Sequence, residues 1–91
     1  MLNSALADQT AEALARSVLE VNGDEAARVR EAYRRVHART PTVVELDRVL
    51  VYLKKSAAAG DPKLTPDERR FRAWRGLCRV LFASNEFVFV E

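Results

Sequence analysis

Cysteine and histidine each occur once in the 91 residues, and glycine and proline three times each. A lone thiol, Cys78, excludes an internal disulfide and leaves the redox compartment open. One histidine, His37, far in sequence from that one cysteine, falls short of the roughly four nitrogen, sulfur or carboxylate ligands that a zinc site takes. The Cys-x-x-Cys-His run of c-type haem attachment is missing. The glycines stand singly, and Gly23 and Gly60 read as helix terminators, so there is no glycine-rich phosphate loop. Acidic residues are scattered over the helices, adjacent only at Asp24-Glu25 and Asp67-Glu68, and offer no carboxylate pair for glycoside chemistry. No apolar run approaches the roughly 18–20 residues of a membrane span. Met1-Leu2-Asn3-Ser4 has neither the basic start nor the apolar run of a signal peptide. Either the chain stays in the cytoplasm or a targeting segment lies outside it.

What is present is a globular composition, 48% hydrophobic and 31% charged. A chain this short buries only roughly 60–65% of its unfolded surface, which leaves little room for a core and a deep substrate cavity together. The formal charge is +2, too mild to demand nucleic acid, yet 12 of the 15 basic residues are arginine. That bias favours phosphate or carboxylate partners, because the guanidinium is a planar bidentate fork.

Caps and periodicity predict four helices. Leu6, Thr10, Ala13, Leu14, Ser17, Val18 and Val21 recur at three- and four-residue steps from a start near Ser4, and Asn22-Gly23 closes that run. Asp24 caps a second helix with Val29, Ala32, Tyr33 and Val36 inward, ending near Arg39. Thr40-Pro41-Thr42 breaks the chain, and Thr42 with Glu45 has capping-box spacing. The third helix presents Val43, Leu46, Val49, Leu50 and Leu53 and stops at Gly60. Thr65 and Glu68 form a second capping signal, with Pro66 at the first helical position. Phe71, Trp74, Leu77, Cys78, Leu81 and Phe82 make the strongest apolar stripe of the chain. After Ser84-Asn85 the pattern changes to Phe87-Val88-Phe89-Val90, apolar at every position and expected as an extended tail. The fold expected is therefore all-α: one domain over residues 1–91, a compact array of four helices with a short extended apolar C-terminal tail.

Candidate chemistry is sparse. Cys78 falls on the apolar stripe, where it acts as a small hydrophobe, and nothing supplies the base that a catalytic thiolate needs. His37, near a helix end, fits capping or solvation better than catalysis. Arginines crowd the second helix (Arg28, Arg30, Arg34, Arg35, Arg39) and the fourth (Arg69, Arg70, Arg72, Arg75, Arg79). Glu12–Arg16, Asp24–Arg28, Glu31–Arg35 and Glu68–Arg72 each place an acid four residues before an arginine, the favourable orientation for a surface pair. Many arginines then belong to a solvated, self-neutralised face. The rival reading is a basic helical nucleic-acid-binding domain using Arg30, Arg34, Arg72 and Arg79.

Three stretches carry a resemblance to a known family. They are Leu2-Asn3-Ser4 with Gln9, then Ala32-Tyr33-Arg34 through Arg39-Thr40-Pro41-Thr42 and Glu45-Leu46, and finally Trp74, Leu77-Cys78, Leu81 and Ser84-Asn85-Glu86-Phe87. Over essentially all 91 residues the chain resembles the C-terminal segment of the planctomycete-type domain of unknown function (DUF) 1553 family. The closing block is the most specific part. Ala38 departs from the family's usual glycine and is expected to stiffen the turn into the third helix; Ala83 replaces an asparagine of the closing motif. Members are long proteins, often with an export signal and a cytochrome-c-like segment upstream. The resemblance thus implies a terminal piece of a larger, exported cell-envelope protein, whose haem or enzymatic chemistry does not pass to this piece.

The resulting expectation is a non-catalytic interaction or structural module with no catalytic, cofactor-binding or metal-binding residues. Its interaction surface is expected at Trp74, Asn85, Glu86, Phe87 and Phe89. The partner is the remainder of a parent polypeptide or another protein, with homodimerisation through exposed apolar surface as a further prospect.

Overall fold

Regular structure follows the capping signals closely. A computed structural model describes residues 4–90, with the side chains of residues 5–84. Its elements are α1 (Ser4–Leu19), α2 (Glu25–His37), α3 (Val43–Ala58) and α4 (Pro66–Val90), with no strand among the described residues. At the head of α2, Asp24 accepts a hydrogen bond from the Ala27 amide at 2.9 Å. Both halves of the Thr42–Glu45 capping box form, at 3.1 and 2.9 Å, so two otherwise orphaned amides of α3 are satisfied. Glu68 N–H donates to Thr65 Oγ1 at 3.1 Å, and Pro66 is the first residue of α4. The α2 exit is unusual: Ala38, at φ 57°, holds the left-handed cap conformation while its amide donates to the Arg34 carbonyl at 3.0 Å.

The expected extended tail is helical instead, because α4 runs on to Val90. Nothing after Gly76 breaks it, since neither glycine nor proline follows. Ser84 Oγ donates back to the Val80 carbonyl at 3.0 Å, a bond made within a continuing helix. Once nucleated, a helix gains a hydrogen bond for each residue added, and β-branched or aromatic residues weaken that by only a few tenths of a kcal/mol.

The core forms around α4. Ala73, Trp74, Leu77, Cys78 and Leu81 are buried, and Trp74 and Cys78 are sealed completely. Against them lie Val29, Ala32 and Tyr33 of α2, as the periodicity predicts. The buried edge of α1 is Ala11, Ala15 and Val18, rotated from the predicted stripe; Leu6, Ala13 and Ser17 are exposed. Alanine methyls let α1 lie close along α4, and small side chains set a short interaxial distance. The two run antiparallel: Asp8, early in α1, pairs with Arg79 at 2.7 Å, while Arg16, late in α1, lies 4.6 Å above the Phe71 ring.

Helix α3 is held more lightly. Leu53 is its one fully buried apolar side chain, and Leu46, Val49, Leu50 and Ala57 are half-buried against the core. Val43, predicted inward, is 85% exposed because it occupies the first turn beyond the edge of the other helices' packing surface. Polar ties cross between the helices as well. Arg35 donates to Ser17 Oγ at 2.6 Å, linking α2 to α1, and Arg39 grips Glu45 through two bonds of 2.7 and 2.9 Å, linking the α2 exit to α3.

Candidate functional sites

Glu25, in the first turn of α2, gathers three donors. Trp74 Nε1 donates to Oε2 at 3.0 Å, while Arg28 (3.0 Å) and Arg70 both reach Oε1. Burial opposes its ionisation, but the hydrogen bonds from Arg70 and Trp74, the Arg70 charge and the Arg28 bond together hold its carboxyl below the usual range. Beside this cluster opens a groove of about 400 Å³ between α2, α3 and α4. Leu50, Leu53, Ala57 and Ala73 give it apolar walls, and Lys54 and Arg70 stand at its rim. With three donors on one carboxylate, the cluster ties α2 to α4 and holds Glu25 in its ionised, weakly basic form.

The remaining titratable candidates are placed for structure. Burial pushes the Cys78 thiol up to about 12, so at neutral pH it is a protonated core group. His37 packs against Tyr33 with the rings tilted by 53° and their centroids 5.5 Å apart; burial and then the Arg39 charge lower its basicity against a weaker pull from Glu45. Among the described residues, no group of three histidine, cysteine or carboxylate side chains is placed to hold a metal ion.

The arginine faces are interleaved with acids. Arg16, Arg72, Arg75 and Arg79 line the α1–α4 surface together with Asp8, Glu12, Asp67 and Glu68. Glu12–Arg16 pairs at 3.0 Å as its spacing predicts, and Glu31 takes both Arg34 and Arg35 at 2.6 Å. The other two expected pairs are redirected. Asp24 caps α2 while Arg28 turns to Glu25, and Glu68 faces Thr65. Among the described residues Arg30 and Arg72 have no ion pair, whereas Arg34 and Arg79 are paired.

Exposed apolar side chains concentrate on α3. Val43, Val44, Val51 and Tyr52 all face solvent, with Val44 59% and Val51 47% exposed. Val44, Arg48, Val51 and Lys55 follow the i, i+4, i+7, i+11 spacing of one helix face. Neither Arg48 nor Lys55 forms an ion pair among the described residues.

Of the expected interaction surface, Trp74 is fully buried. It belongs to the core, with its indole nitrogen committed to Glu25, and so is no part of an exposed docking face. The side chains of Asn85, Glu86, Phe87 and Phe89 lie outside the described residues. In the sequence, Val43, Leu46, Val49, Leu50 and Leu53 read as the inner face of the third helix, and Val44 and Val51 have no place in that stripe. The signal was there: Val44 and Val51 are out of phase with Leu46 and Leu53. No protein-family model, no curated protein and no solved structure matches the chain.

Proposed function

We propose that this chain is a non-catalytic helical docking module that binds a protein surface through the outer face of α3. The observation that carries the reading is the pair Val44 and Val51, two exposed aliphatic side chains seven residues apart on the helix least covered by the core. Exposed aliphatics aligned along one element mark an interaction surface more often than scattered ones do. Arg48 and Lys55 on one side and Asp47 on the other border them without an ion-pair partner among the described residues, so the complementary surface is apolar with a rim of both charges. The resemblance to the C-terminal segment of the DUF1553 family supports one source for that surface, the remainder of a parent polypeptide.

The arginines support docking over nucleic-acid binding. On the α1–α4 surface four arginines stand among four carboxylates, so the face has little net field to attract a phosphate backbone. The burial of Cys78 and the commitment of Glu25 to Arg28, Arg70 and Trp74 support a non-catalytic role.

The test is binding of this chain, measured by calorimetry, to the polypeptide encoded upstream of it. Both side chains are exposed, so Val44→Glu with Val51→Glu leaves helicity unchanged. The expected result is a loss of affinity of about tenfold or more. Equal affinity with the circular dichroism spectrum intact refutes the proposal. Sedimentation of the chain alone adds a check, because a dimer abolished by the same two changes makes a second copy the occupant instead.

A further inference from the structure

We infer that the cleft between the end of α3 and the first turns of α4 is a binding site for a phosphate group, either free phosphate or the phosphoryl end of a small monoester. It holds about 170 Å³. The cleft is open to solvent on one side, which leaves room for a five-atom oxyanion with part of its hydration.

The donors are already assembled. Tyr52 and Ser56, one turn apart on α3, and Arg69 and Arg72, three apart on α4, line the cleft; the Tyr52 hydroxyl lies at its α4 wall beside Gly76. None of these four side chains has a hydrogen-bond or ion-pair partner among the described residues. Arg69 Nε is also buried without a partner. The one other such atom among the described residues, Arg28 Nε, differs in that its guanidinium is already paired to Glu25. The Arg69 Nε–H is closed to a molecule the size of water, so its unpaired state marks the guanidinium as uncommitted, and the terminal NH2 groups are the donors an anion in the cleft would meet.

Two glycines clear the space for these side chains. A Cβ on Gly60 would lie 2.9 Å from Arg69 Cγ, and one on Gly76 would lie 2.8 Å from the Tyr52 hydroxyl oxygen. The arginine stem and the phenol therefore approach the backbone as closely as only glycine permits. The one acidic group lining the cleft, Asp61, is tied to the turn by accepting the Lys63 amide at 2.9 Å. The excess of positive charge rests on Arg72, which lines this cleft as well as the α1–α4 surface and has no ion pair on either side among the described residues. Donors spread over four side chains suit the several oxygens of a tetrahedral anion better than the two of a planar carboxylate. Val44 and Val51 do not line the cleft, so the site stands or falls apart from the docking face.

The experiment titrates inorganic phosphate into the isotopically labelled chain at low salt and follows the Arg69 Nε–H resonance, with affinities from calorimetry. Saturable movement of that resonance is expected, with a Kd on the order of millimolar or tighter. Arg69→Met should weaken binding about tenfold or more, and Arg69→Lys by less, because it keeps the charge and loses the fork. Gly60→Ala should weaken it while the melting curve shows an intact fold. Arg30→Met, an exposed arginine on α2, should leave it unchanged. The inference is overturned if the Arg69 resonance does not move, if Arg30→Met matches Arg69→Met, or if acetate binds as tightly as phosphate. Glycerol phosphate distinguishes the sources: tighter binding than inorganic phosphate assigns the site to a monoester, and equal binding to free phosphate.

Discussion

Trp74 and Glu25 stand 49 positions apart and meet in one hydrogen bond of 3.0 Å, the indole donating to the carboxylate. The largest buried side chain of the core thus has its single polar atom satisfied by a residue in the first turn of α2, where a negative charge is also favoured by the helix dipole.

Glu25→Ala leaves that indole nitrogen without its acceptor and should cost about 1–3 kcal/mol of stability. Trp74→Phe removes the donor, and the two changes together should cost less than their sum, with a coupling on the order of 1 kcal/mol in urea unfolding. Strict additivity would show that the contact contributes nothing.

Acid should destabilise the fold through three carboxylates. Glu31, bound first by Arg34 and then by Arg35, is lowered to about 2. Glu45, bound first by Arg39 and then by the Thr42 amide, is also lowered to about 2, and Glu25 is lowered as well. In each, the folded value lies below the ordinary glutamate value of 4.5, so the unfolded chain takes up protons first as pH falls. Stability is then full above 4.5 and drains away between there and about 2. Glu31 and Glu45 face solvent, so added salt should flatten their share of the loss. Urea midpoints across that range, at low and high salt, check both statements; a midpoint that does not move with pH would contradict them.

Ala38→Gly should stabilise the protein. The residue sits at φ 57°, where an alanine methyl crowds the backbone and glycine does not. Relief of about 1 kcal/mol, partly offset by glycine's greater freedom in the unfolded chain, should raise the melting temperature by a few degrees. A lower melting temperature would mean that the methyl makes a contact worth more than the strain.

Cys78 should resist thiol reagents in the folded protein and react freely once denaturant opens it. The thiol is buried and its ionisation is pushed up to about 12, so the reactive thiolate is scarce at neutral pH. Cys78→Ser puts a hydroxyl in the same place and should cost about 1–3 kcal/mol. Rapid labelling under native conditions would show that α4 opens there.

Helix number and the starts of α2, α3 and α4 were legible because they rest on local chemistry. Asp24, Thr42, Thr65 and Pro66 satisfy or excuse amides within three residues of themselves. The α4 stripe was legible because Trp74, Leu77 and Leu81 are bulky enough to declare the inner face. The α1 face was not, since Ala11 and Ala15 carry too little hydrophobic signal to outweigh Leu6 in a periodicity count. The candidate sites were the least visible. The phosphate cleft joins Tyr52 to Arg69, and the Glu25 cluster joins α2 to α4; both are products of how helices cross. The tail misled because its composition suits a strand while its position continues a helix already formed.

One consequence concerns synthesis. Helix α4 packs against α1, α2 and α3 alike, and it follows all three in the chain. As the polypeptide leaves the ribosome, the first three helices therefore emerge without the element they share. Val18, Val29 and Leu53 must stay in water, or in the hands of a chaperone, until Trp74 and Leu77 arrive to cover them. A nascent chain stalled before Pro66 should be as open to protease as an unfolded one, and protection should come in a single step as α4 clears the exit tunnel.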